Sequence, residues 1–256
     1  MTTHLIHIPI DLRALYVWGE ARGLSCRGVF DEGLALHHLL GESFGPAVLQ
    51  PFRLMVSRGA RTGALYAYAA QTHEELAVAA AQTFDPAMAS VIDLADLRSH
   101  PRPAAAWSAG QRLGFDLRFR PVVRLAKPLQ MGGEAFRKGA ELDAYLPYVA
   151  RAPQDARLSR EEVYLDWLAK RLEGAVDIER SQTVIARCER SMIIRNGRRV
   201  EGPDVIIQGT FSIVDPTAYA QLLARGIGRH RTYGYGMMML RPPQKVSKPQ
   251  SMESHS

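Results

Sequence analysis

The 256-residue sequence is poor in cysteine and has no long apolar stretch. Its two cysteines, Cys26 and Cys188, are too few for a disulfide framework or a thiolate metal cluster and fit a reducing compartment. No apolar run approaches the ~18 residues that cross a bilayer, and the N-terminal segment has neither a basic region nor a long apolar run. These absences predict a cytoplasmic protein with no membrane partner.

Several catalytic motifs are also missing. The sequence contains no His-Glu-x-x-His, no Cys-x-x-Cys and no Gly-x-Ser-x-Gly. His4 and His7 lie an odd number of residues apart on a predicted strand, so they point to opposite faces and make poor paired metal ligands. The sequence therefore predicts no metal site and no cofactor.

The positive charge is unevenly distributed. The chain has a net charge of +6, and residues 180–256 hold 12 basic and 5 acidic residues, against 20 and 21 in residues 1–179. Such an excess is typical of proteins with an anionic partner. Arginine supplies 27 of the 32 basic residues, however, so a compositional bias of the genome is an alternative explanation.

The first third of the chain alternates strand and helix patterns. Apolar periodicity predicts strands at residues 4–10, 52–59, 63–70 and 90–98. Helices are predicted at residues 31–44, ended by Gly45-Pro46, and from Thr72 to Phe84, where Thr72 and Glu75 form a capping box. The predicted order is β-α-β-β-α-β.

A second cycle follows residues 100–110, where prolines and small residues break the periodicity. Strands are predicted at residues 111–125, on both sides of Asn196-Gly197 and at residues 234–240. Helices are predicted at residues 159–174, capped by Ser159 and Glu162, and at residues 216–225. The order is again β-α-β-β-α-β.

These two cycles predict an α+β fold of two tandem ferredoxin-like (RRM-like) domains. The N-terminal domain is expected at residues 1–105 and the C-terminal domain at residues 106–241. Residues 242–256, PPQKVSKPQSMESHS, have the composition of a disordered tail.

The most specific motif is the glycine-rich segment, residues 224–242, ARGIGRHRTYGYGMMMLRP. It follows a predicted helix and enters a strand, the reverse of a dinucleotide-binding fingerprint. Glycine at positions 226 and 228 would let the backbone approach a phosphate closely. The residues expected to contact it are Gly226, Gly228, Arg229, His230 and Arg231. The alternative is an ordinary turn with solvated arginines.

A second motif is the basic hairpin, residues 187–200, RCERSMIIRNGRRV. A two-residue turn at Asn196-Gly197 would place Arg195 opposite Arg198, and this like-charge pair is destabilising unless an anion lies across it. The predicted RNA-binding residues of the hairpin are Arg187, Arg190, Arg195, Arg198 and Arg199. The alternative is a solvated hairpin whose arginines only protect an edge from aggregation.

The third motif is His37-His38 on the first predicted helix. Most surface histidines are inert, but histidine is the side chain best suited to exchange protons near neutral pH, and no other catalytic set in the sequence competes with this pair.

These motifs together resemble the CasE family, the CRISPR repeat-processing endoribonucleases of type I-E systems. GIGRHRTYGYGMMML is similar to the family's glycine-rich signature, and ALHHLL is similar to its catalytic-helix pattern. SREEVYLDWLAKRL and AGQRLGFDLRFRP are similar to its second domain. The resemblance covers the whole chain apart from the tail.

The resemblance implies metal-independent cleavage of precursor CRISPR RNA at repeat stem-loops by attack of a ribose 2′-hydroxyl. The products are a 2′,3′-cyclic phosphate and a 5′-hydroxyl, and the enzyme stays on the guide hairpin within the Cascade surveillance complex. The implied partners are the CRISPR RNA repeat hairpin and other Cascade subunits, including the backbone subunit at the 3′ end of the guide.

Matching the family's Leu-His-x-x-Leu segment to Leu36, His37 and Leu40 selects His37 as the catalytic residue. Several members have a tyrosine where this chain has Leu34, which exchanges no proton, so the second catalytic group remains open among Tyr16, Tyr233 and His38. Two other functions remain as alternatives: a non-catalytic RNA-hairpin-binding subunit of the same fold, and a structural domain whose charge is compositional.

Overall fold

The computed structural model describes residues 2–26, 28–152, 157–195 and 197–244. Asn196 of the predicted turn and residues 245–256 of the predicted tail lie outside the described residues.

The first half of the chain begins with a strand and ends with one. Its elements are β1 (Thr2–Asp11), α1 (Leu12–Ala21), β2 (Ser25–Cys26), β3 (Val29–Phe30), α2 (Glu32–Phe44), β4 (Phe52–Met55), β5 (Thr62–Ala69), α3 (His73–Ala80), α4 (Pro86–Val91) and β6 (Arg98–Pro103).

The first sheet is antiparallel, with the strand order β4-β5-β1-β6. Alternate residues of β1, Ile6, Ile8 and Ile10, are fully buried and pack with apolar side chains of α2 such as Leu36 and Leu39. The period of two therefore places the helices on one face of this sheet.

The prediction of a strand at residues 90–98 is wrong. This stretch contains the end of α4, which Asp85 caps, and a short 3-10 turn at Leu94–Asp96. The fourth strand is β6, which pairs with β1 and covers the start of the stretch that suggested a domain boundary. Pro101 and Pro103 are tolerated because β6 lies at the sheet edge, where some backbone groups need no partner strand.

Helix α1 was not predicted, although its signals are present. The Asp11 carboxylate accepts a hydrogen bond from the Ala14 backbone N–H at 2.8 Å, which satisfies one free donor of the first turn. Leu15 and Trp18 are buried one turn apart. The expected capping box of Thr72 and Glu75 is confirmed at the start of α3.

The second half contains the second sheet and a smaller insertion. Its elements are β7 (Arg112–Phe119), β8 (Val122–Arg124), β9 (Leu129–Met131), β10 (Glu134–Phe136), β11 (Glu141–Asp143), α5 (Tyr145–Val149), α6 (Arg160–Leu172), β12 (Val176–Ile178), β13 (Val184–Arg195), β14 (Arg198–Ile213), α7 (Pro216–Arg225) and β15 (Met238–Arg241).

The second sheet has the order β12-β14-β7-β15, and β13 also pairs with β14. In each half, the first and third strands of the β-α-β-β-α-β motif lie at the centre of the sheet, as in ferredoxin-like sheets: β1 and β5 in the first sheet, β7 and β14 in the second. The predicted α+β fold of two tandem ferredoxin-like units is confirmed. The capping box of Ser159 and Glu162 and the helix starting at Pro216 are also confirmed. The boundary near residue 105 stays a prediction.

The closing strand is shorter than predicted. It begins at Met238 rather than Gly234, because Gly234 and Gly236 have φ angles of 83° and 79°, which a strand does not allow. The predicted strand at residues 111–125 is likewise interrupted after Phe119 and continues as β8.

The two halves meet through polar contacts as well as apolar packing. Arg53 of β4 forms a buried ion pair with Asp116 of β7. The Tyr68 hydroxyl on β5 donates to the Met238 carbonyl oxygen at 2.9 Å. Because a buried charge without its partner is strongly destabilising, the Arg53–Asp116 pair fixes how the sheets face each other.

Candidate active site and nucleic-acid interface

His37 lies on α2, where the two halves meet. Its half-buried ring lies 5.4 Å, between centroids, from the ring of His38 and 5.4 Å from the ring of Tyr233 in the glycine-rich segment. Tyr16, the remaining candidate for a second proton-transfer group, packs against Phe30 instead. The structure therefore brings two of the three candidates to His37.

The start of α2 explains why the helix lies so close to the glycine-rich segment. A Cβ atom on Gly33 would lie 2.6 Å from the Tyr233 carbonyl oxygen, so only glycine allows this approach. Gly33 and His37 are four residues apart and share one face of the helix. The close contact at Gly33 thus fixes the distance between His37 and the turn that contains Tyr233.

Asp31 connects α2 to the basic hairpin. One carboxylate oxygen accepts from the Leu34 N–H at 3.0 Å and caps the helix. The other oxygen accepts from the backbone N–H of Ile194 in β13. Since Asp31 is buried, this contact ties the position of α2 to that of the hairpin.

Two clefts adjoin this region. One, of about 200 Å³, is bordered by His37 and His38 and by the chain from Leu40 to Phe52. The other, of about 170 Å³, lies where α2, β13 and the glycine-rich segment meet, and its lining includes Glu32, Arg118, Ser191 and Tyr233.

The environment of His37 favours a neutral imidazole. Burial, and then the charge of His38, lower the pKa of His37 below its ordinary value. A neutral imidazole can accept a proton, and after accepting it can donate it again, which is the behaviour expected of an acid-base catalyst near neutral pH.

A buried polar network supports the base of the hairpin. Arg118 of β7 donates two hydrogen bonds to the Asp204 carboxylate, at 2.9 and 2.6 Å, and its guanidinium lies 4.6 Å from the ring centre of Tyr235. Burial alone would raise the pKa of Asp204, but the bonds from Arg118 hold it below its ordinary value. The Tyr235 hydroxyl lies 3.0 Å from the hydroxyl of Ser191 on β13.

The basic hairpin has the predicted register at its tip. Arg195 pairs with Arg198 across β13 and β14, and both side chains are exposed, which confirms the like-charge opposition. Arg199 is exposed on β14 opposite Ile194. Nearer the sheet, Arg190 is bonded to Glu201 at 2.7 Å, and Arg187 lies 4.0 Å from Asp204. The outer part of the hairpin thus presents concentrated positive charge to solvent.

The glycines of the glycine-rich segment face protein. A Cβ on Gly226 would lie 2.8 Å from Pro51, and a Cβ on Gly228 would lie 2.8 Å from the Trp167 ring. Both residues have positive φ angles, of 75° and 77°, which other residues adopt only with strain. The close approach that glycine allows at positions 226 and 228 is therefore, in this structure, to other parts of the chain.

Glu141 holds two other residues of the segment. Its carboxylate contacts both Arg229 and His230, and the His230 side chain is only 1% exposed. His230 has a left-handed backbone, with φ of 61°, and its carbonyl oxygen accepts from the Tyr233 N–H at 2.9 Å. Burial alone would raise the pKa of Glu141, but the hydrogen bond from His230 holds it below its ordinary value.

Arg231 points away from this cluster and donates to the Arg225 carbonyl oxygen at 2.6 Å. The predicted site residues thus fall into three separate groups. His37 lies with Tyr233, Arg229 and His230 lie at Glu141, and the hairpin arginines lie on β13 and β14. Sequence patterns did not identify Asp31, Arg118 or Glu141, because each acts through a partner 86 or more residues away.

Among the described residues, no group of three or more His, Cys, Asp and Glu side chains is arranged to hold a metal ion. None of the described helices is both long and apolar enough to cross a membrane.

Comparisons with known proteins place this geometry in context. A family model described as "CRISPR associated protein" matches residues 3–242. This match bears out the resemblance drawn from the sequence motifs. No curated protein gives a significant match.

Solved structures share the fold. Thermus thermophilus Cse3 bound to an RNA representing a pre-cleavage complex is 20% identical over 94% of this chain and 100% of that chain, with a TM-score of 0.61. Cas6e from Escherichia coli K-12 is 19% identical over 94% and 100%, with a TM-score of 0.56. A chain of a CRISPR RNA-guided surveillance complex is 17% identical over 93% and 99%, with a TM-score of 0.54.

Proposed function

The chain belongs to the CRISPR-associated protein family, and from this membership we propose that it is an endoribonuclease that cleaves precursor CRISPR RNA at repeat stem-loops. After cleavage it stays bound to the guide hairpin within Cascade. A similarly folded Cse3 has been solved with a pre-cleavage RNA, and a similarly folded chain occurs in a surveillance complex, which supports both parts of the proposal. Because the substrate is a transcript, the activity belongs in the cytoplasm.

The observation that carries the proposal is the contact between His37 and Tyr233. A proton-exchanging imidazole and a phenol lie with ring centres 5.4 Å apart, and each lines an open cleft from which it can reach a substrate. The Tyr233 hydroxyl makes no hydrogen bond within the part of the chain that the structure describes, so it is free to act on a substrate.

The reaction follows from these groups. The ribose 2′-hydroxyl loses its proton to a base and attacks the adjacent phosphorus in line, while the 5′-oxygen leaves and takes a proton from an acid. The products are a 2′,3′-cyclic phosphate and a 5′-hydroxyl. His37 is proposed to exchange one of the two protons and Tyr233 the other, and Arg229 is the candidate to stabilise charge on the phosphorane. The protein's own groups suffice for this reaction, which is therefore proposed to be metal-independent.

The basic hairpin is proposed to hold the RNA stem. A-form RNA is recognised mainly through its shape, phosphates and 2′-hydroxyls, and arginine suits bidentate phosphate contacts. The exposed, opposed Arg195 and Arg198 supply positive charge to which a phosphate strand can bind.

The test is a cleavage assay on a labelled repeat hairpin. His37→Ala is expected to reduce the cleavage rate by about 100-fold or more, with unchanged hairpin affinity, and EDTA is expected to have no effect on the wild-type protein. Exposed His100 on β6 provides the control, since His100→Ala should retain most activity. Normal cleavage by His37→Ala would refute the assignment.

The same assay decides a second candidate function, a non-catalytic subunit that only binds the hairpin. Leu34 favours this alternative, because it stands where several CasE members have a tyrosine. Tight binding without any cleavage by the wild-type protein would establish it.

A further inference from the structure

Many arginines around the second sheet are paired with acids. Carboxylates contact Arg112, Arg118, Arg160, Arg180, Arg187, Arg190, Arg229 and Arg241. In the described part of the chain, Arg171, Arg225 and Arg231 form no ion pair at all. These three line one cleft, of about 280 Å³, between α6, the end of α7 and the glycine-rich segment.

The remaining lining of this cleft offers nothing that neutralises the three charges. It consists of Leu222, Gly226, Ile227 and Gly228. None of the described residues that line it also lines the clefts at His37 or at Tyr233. The cleft is therefore a separate concentration of uncompensated positive charge.

Arg171 is held in the cleft by two contacts with Trp167. Its guanidinium lies 3.3 Å from the ring centre of Trp167, which stacks on Phe119, and one nitrogen donates to the Trp167 carbonyl oxygen at 2.9 Å. Burial lowers the pKa of Arg171 to about 10, with no carboxylate to oppose the shift. It remains protonated at neutral pH, so a bound anion would supply the missing compensation.

Two of the arginines also serve the protein's own backbone. Arg171 bonds the carbonyl oxygen of Trp167 within α6, and Arg231 bonds that of Arg225, the last residue of α7, where basic side chains stabilise helix C-termini. A guanidinium carries five N–H donors, however, and each of these two hydrogen bonds uses a single nitrogen. Donors therefore remain for a ligand, and Arg225 adds a third side chain to the same cleft.

We propose that Arg171, Arg225 and Arg231 form a second phosphate-binding site, which holds a backbone phosphodiester of the RNA. The inference rests on the proposed function. It extends that function to Arg171 and Arg225, which lie outside the basic hairpin and outside residues 229–231 of the glycine-rich segment. RNA is the ligand because Arg231 begins the short turn that ends at Tyr233, so a phosphate bound here lies one turn of backbone from the contact with His37.

The experiment measures RNA affinity as a function of salt for the full-length protein. Removing one arginine–phosphate interaction should reduce the slope of log K against log salt by about 1. The Arg171→Gln, Arg225→Gln double variant should bind RNA about 10-fold more weakly, and its slope should fall by up to about 2. The Arg171→Lys, Arg225→Lys variant keeps the charges and should keep most of the slope. Arg13→Gln, which removes one exposed charge from α1, is the control and should leave affinity and slope close to those of the wild-type protein.

Two RNA probes, the isolated stem-loop and the stem-loop with its single-stranded flanks, tell which part of the strand is bound. If the double glutamine variant binds only the flanked RNA more weakly than the wild-type protein does, the site holds a flank. If it binds both RNAs equally more weakly, the site holds the stem. Either result supports the proposal. A double glutamine variant that keeps the wild-type slope would overturn the proposal, whatever its thermal stability. Failure of the wild-type protein to bind either RNA would instead refute the proposed function itself.

Discussion

The basic hairpin and the glycine-rich segment are both rich in arginine, but the structure uses them differently. In the hairpin, Arg195 and Arg198 are exposed and oppose each other. In the segment, Arg229 and His230 are held by Glu141, and the glycines pack against Pro51 and Trp167. The two regions thus have similar compositions but different roles. The tip of the hairpin is an exposed basic surface, whereas the internal contacts of the glycine-rich segment hold Tyr233 beside His37.

This difference makes a kinetic prediction. Changes at Tyr233 and at the contacts that position it should reduce the rate of cleavage with little effect on RNA affinity, whereas changes at the tip of the hairpin should reduce affinity with little effect on the rate at saturating RNA.

The largest effect is expected at Tyr233. Tyr233→Phe removes only the hydroxyl, because the ring and the backbone contacts stay, and it should reduce the cleavage rate by about 100-fold or more if this hydroxyl transfers a proton. Single-turnover cleavage at saturating hairpin measures it. Tyr16→Phe is the control, because Tyr16 packs on Phe30 and should show wild-type rates. Equal rates for both variants would remove Tyr233 from the mechanism.

The next largest effect is expected at Gly33, where α2 lies against the glycine-rich segment. Gly33→Ala places a methyl group against the Tyr233 carbonyl oxygen and should move His37 away from Tyr233, which should slow cleavage about 100-fold. Gly41→Ala lies in the same helix with no heavy atom near the new methyl, and it should stabilise the protein by about 0.5–1 kcal/mol with unchanged cleavage. Matching cleavage by the two variants would contradict the role of Gly33.

A change at Glu141 tests the contacts that hold Arg229 and His230 in the glycine-rich segment. Glu141→Gln should lower the free energy of unfolding by about 2 kcal/mol, because it leaves Arg229 and His230 without their carboxylate. The folded-state pKa of Glu141 lies below its unfolded value, so its contribution is present above about pH 4.3 and is lost as the pH falls through the folded-state pKa.

Denaturant unfolding of the wild-type protein and this variant at several pH values measures the effect. The stability difference should shrink in acid. Exposed Glu134 on β10 provides the control, since Glu134→Gln should change stability little at any of these pH values. A difference that stays constant into acid would show that the carboxylate charge is not what stabilises the segment.

The smallest effect is expected at the hairpin tip. The Arg195→Gln, Arg198→Gln variant should bind the hairpin RNA about 10-fold more weakly and with a shallower salt dependence. Its stability should rise by a few tenths of a kcal/mol, because the opposed like charges are removed. A lower cleavage rate at saturating RNA, with unchanged affinity, would reverse the division of roles between the two regions.

Much of the fold could be predicted because its signals are local. Capping boxes at Thr72 and Ser159 and the alternation of Ile6, Ile8 and Ile10 depend on neighbours a few residues away. The strand β6 escaped prediction because it has no buried apolar residue and contains two prolines, so its place depends entirely on pairing with β1.

The sequence by itself determined the fold class, the concentration of arginine after residue 180 and the family resemblance, since all of these are properties of composition and short-range order. Only the tertiary structure decided which side chains meet. Asp31 with Ile194, Glu141 with His230, His37 with Tyr233 and the three arginines of the second cleft join distant parts of the chain. Their encounters follow from the packing of two sheets and the helices around them, and a single sequence does not encode these long-range contacts in any local pattern.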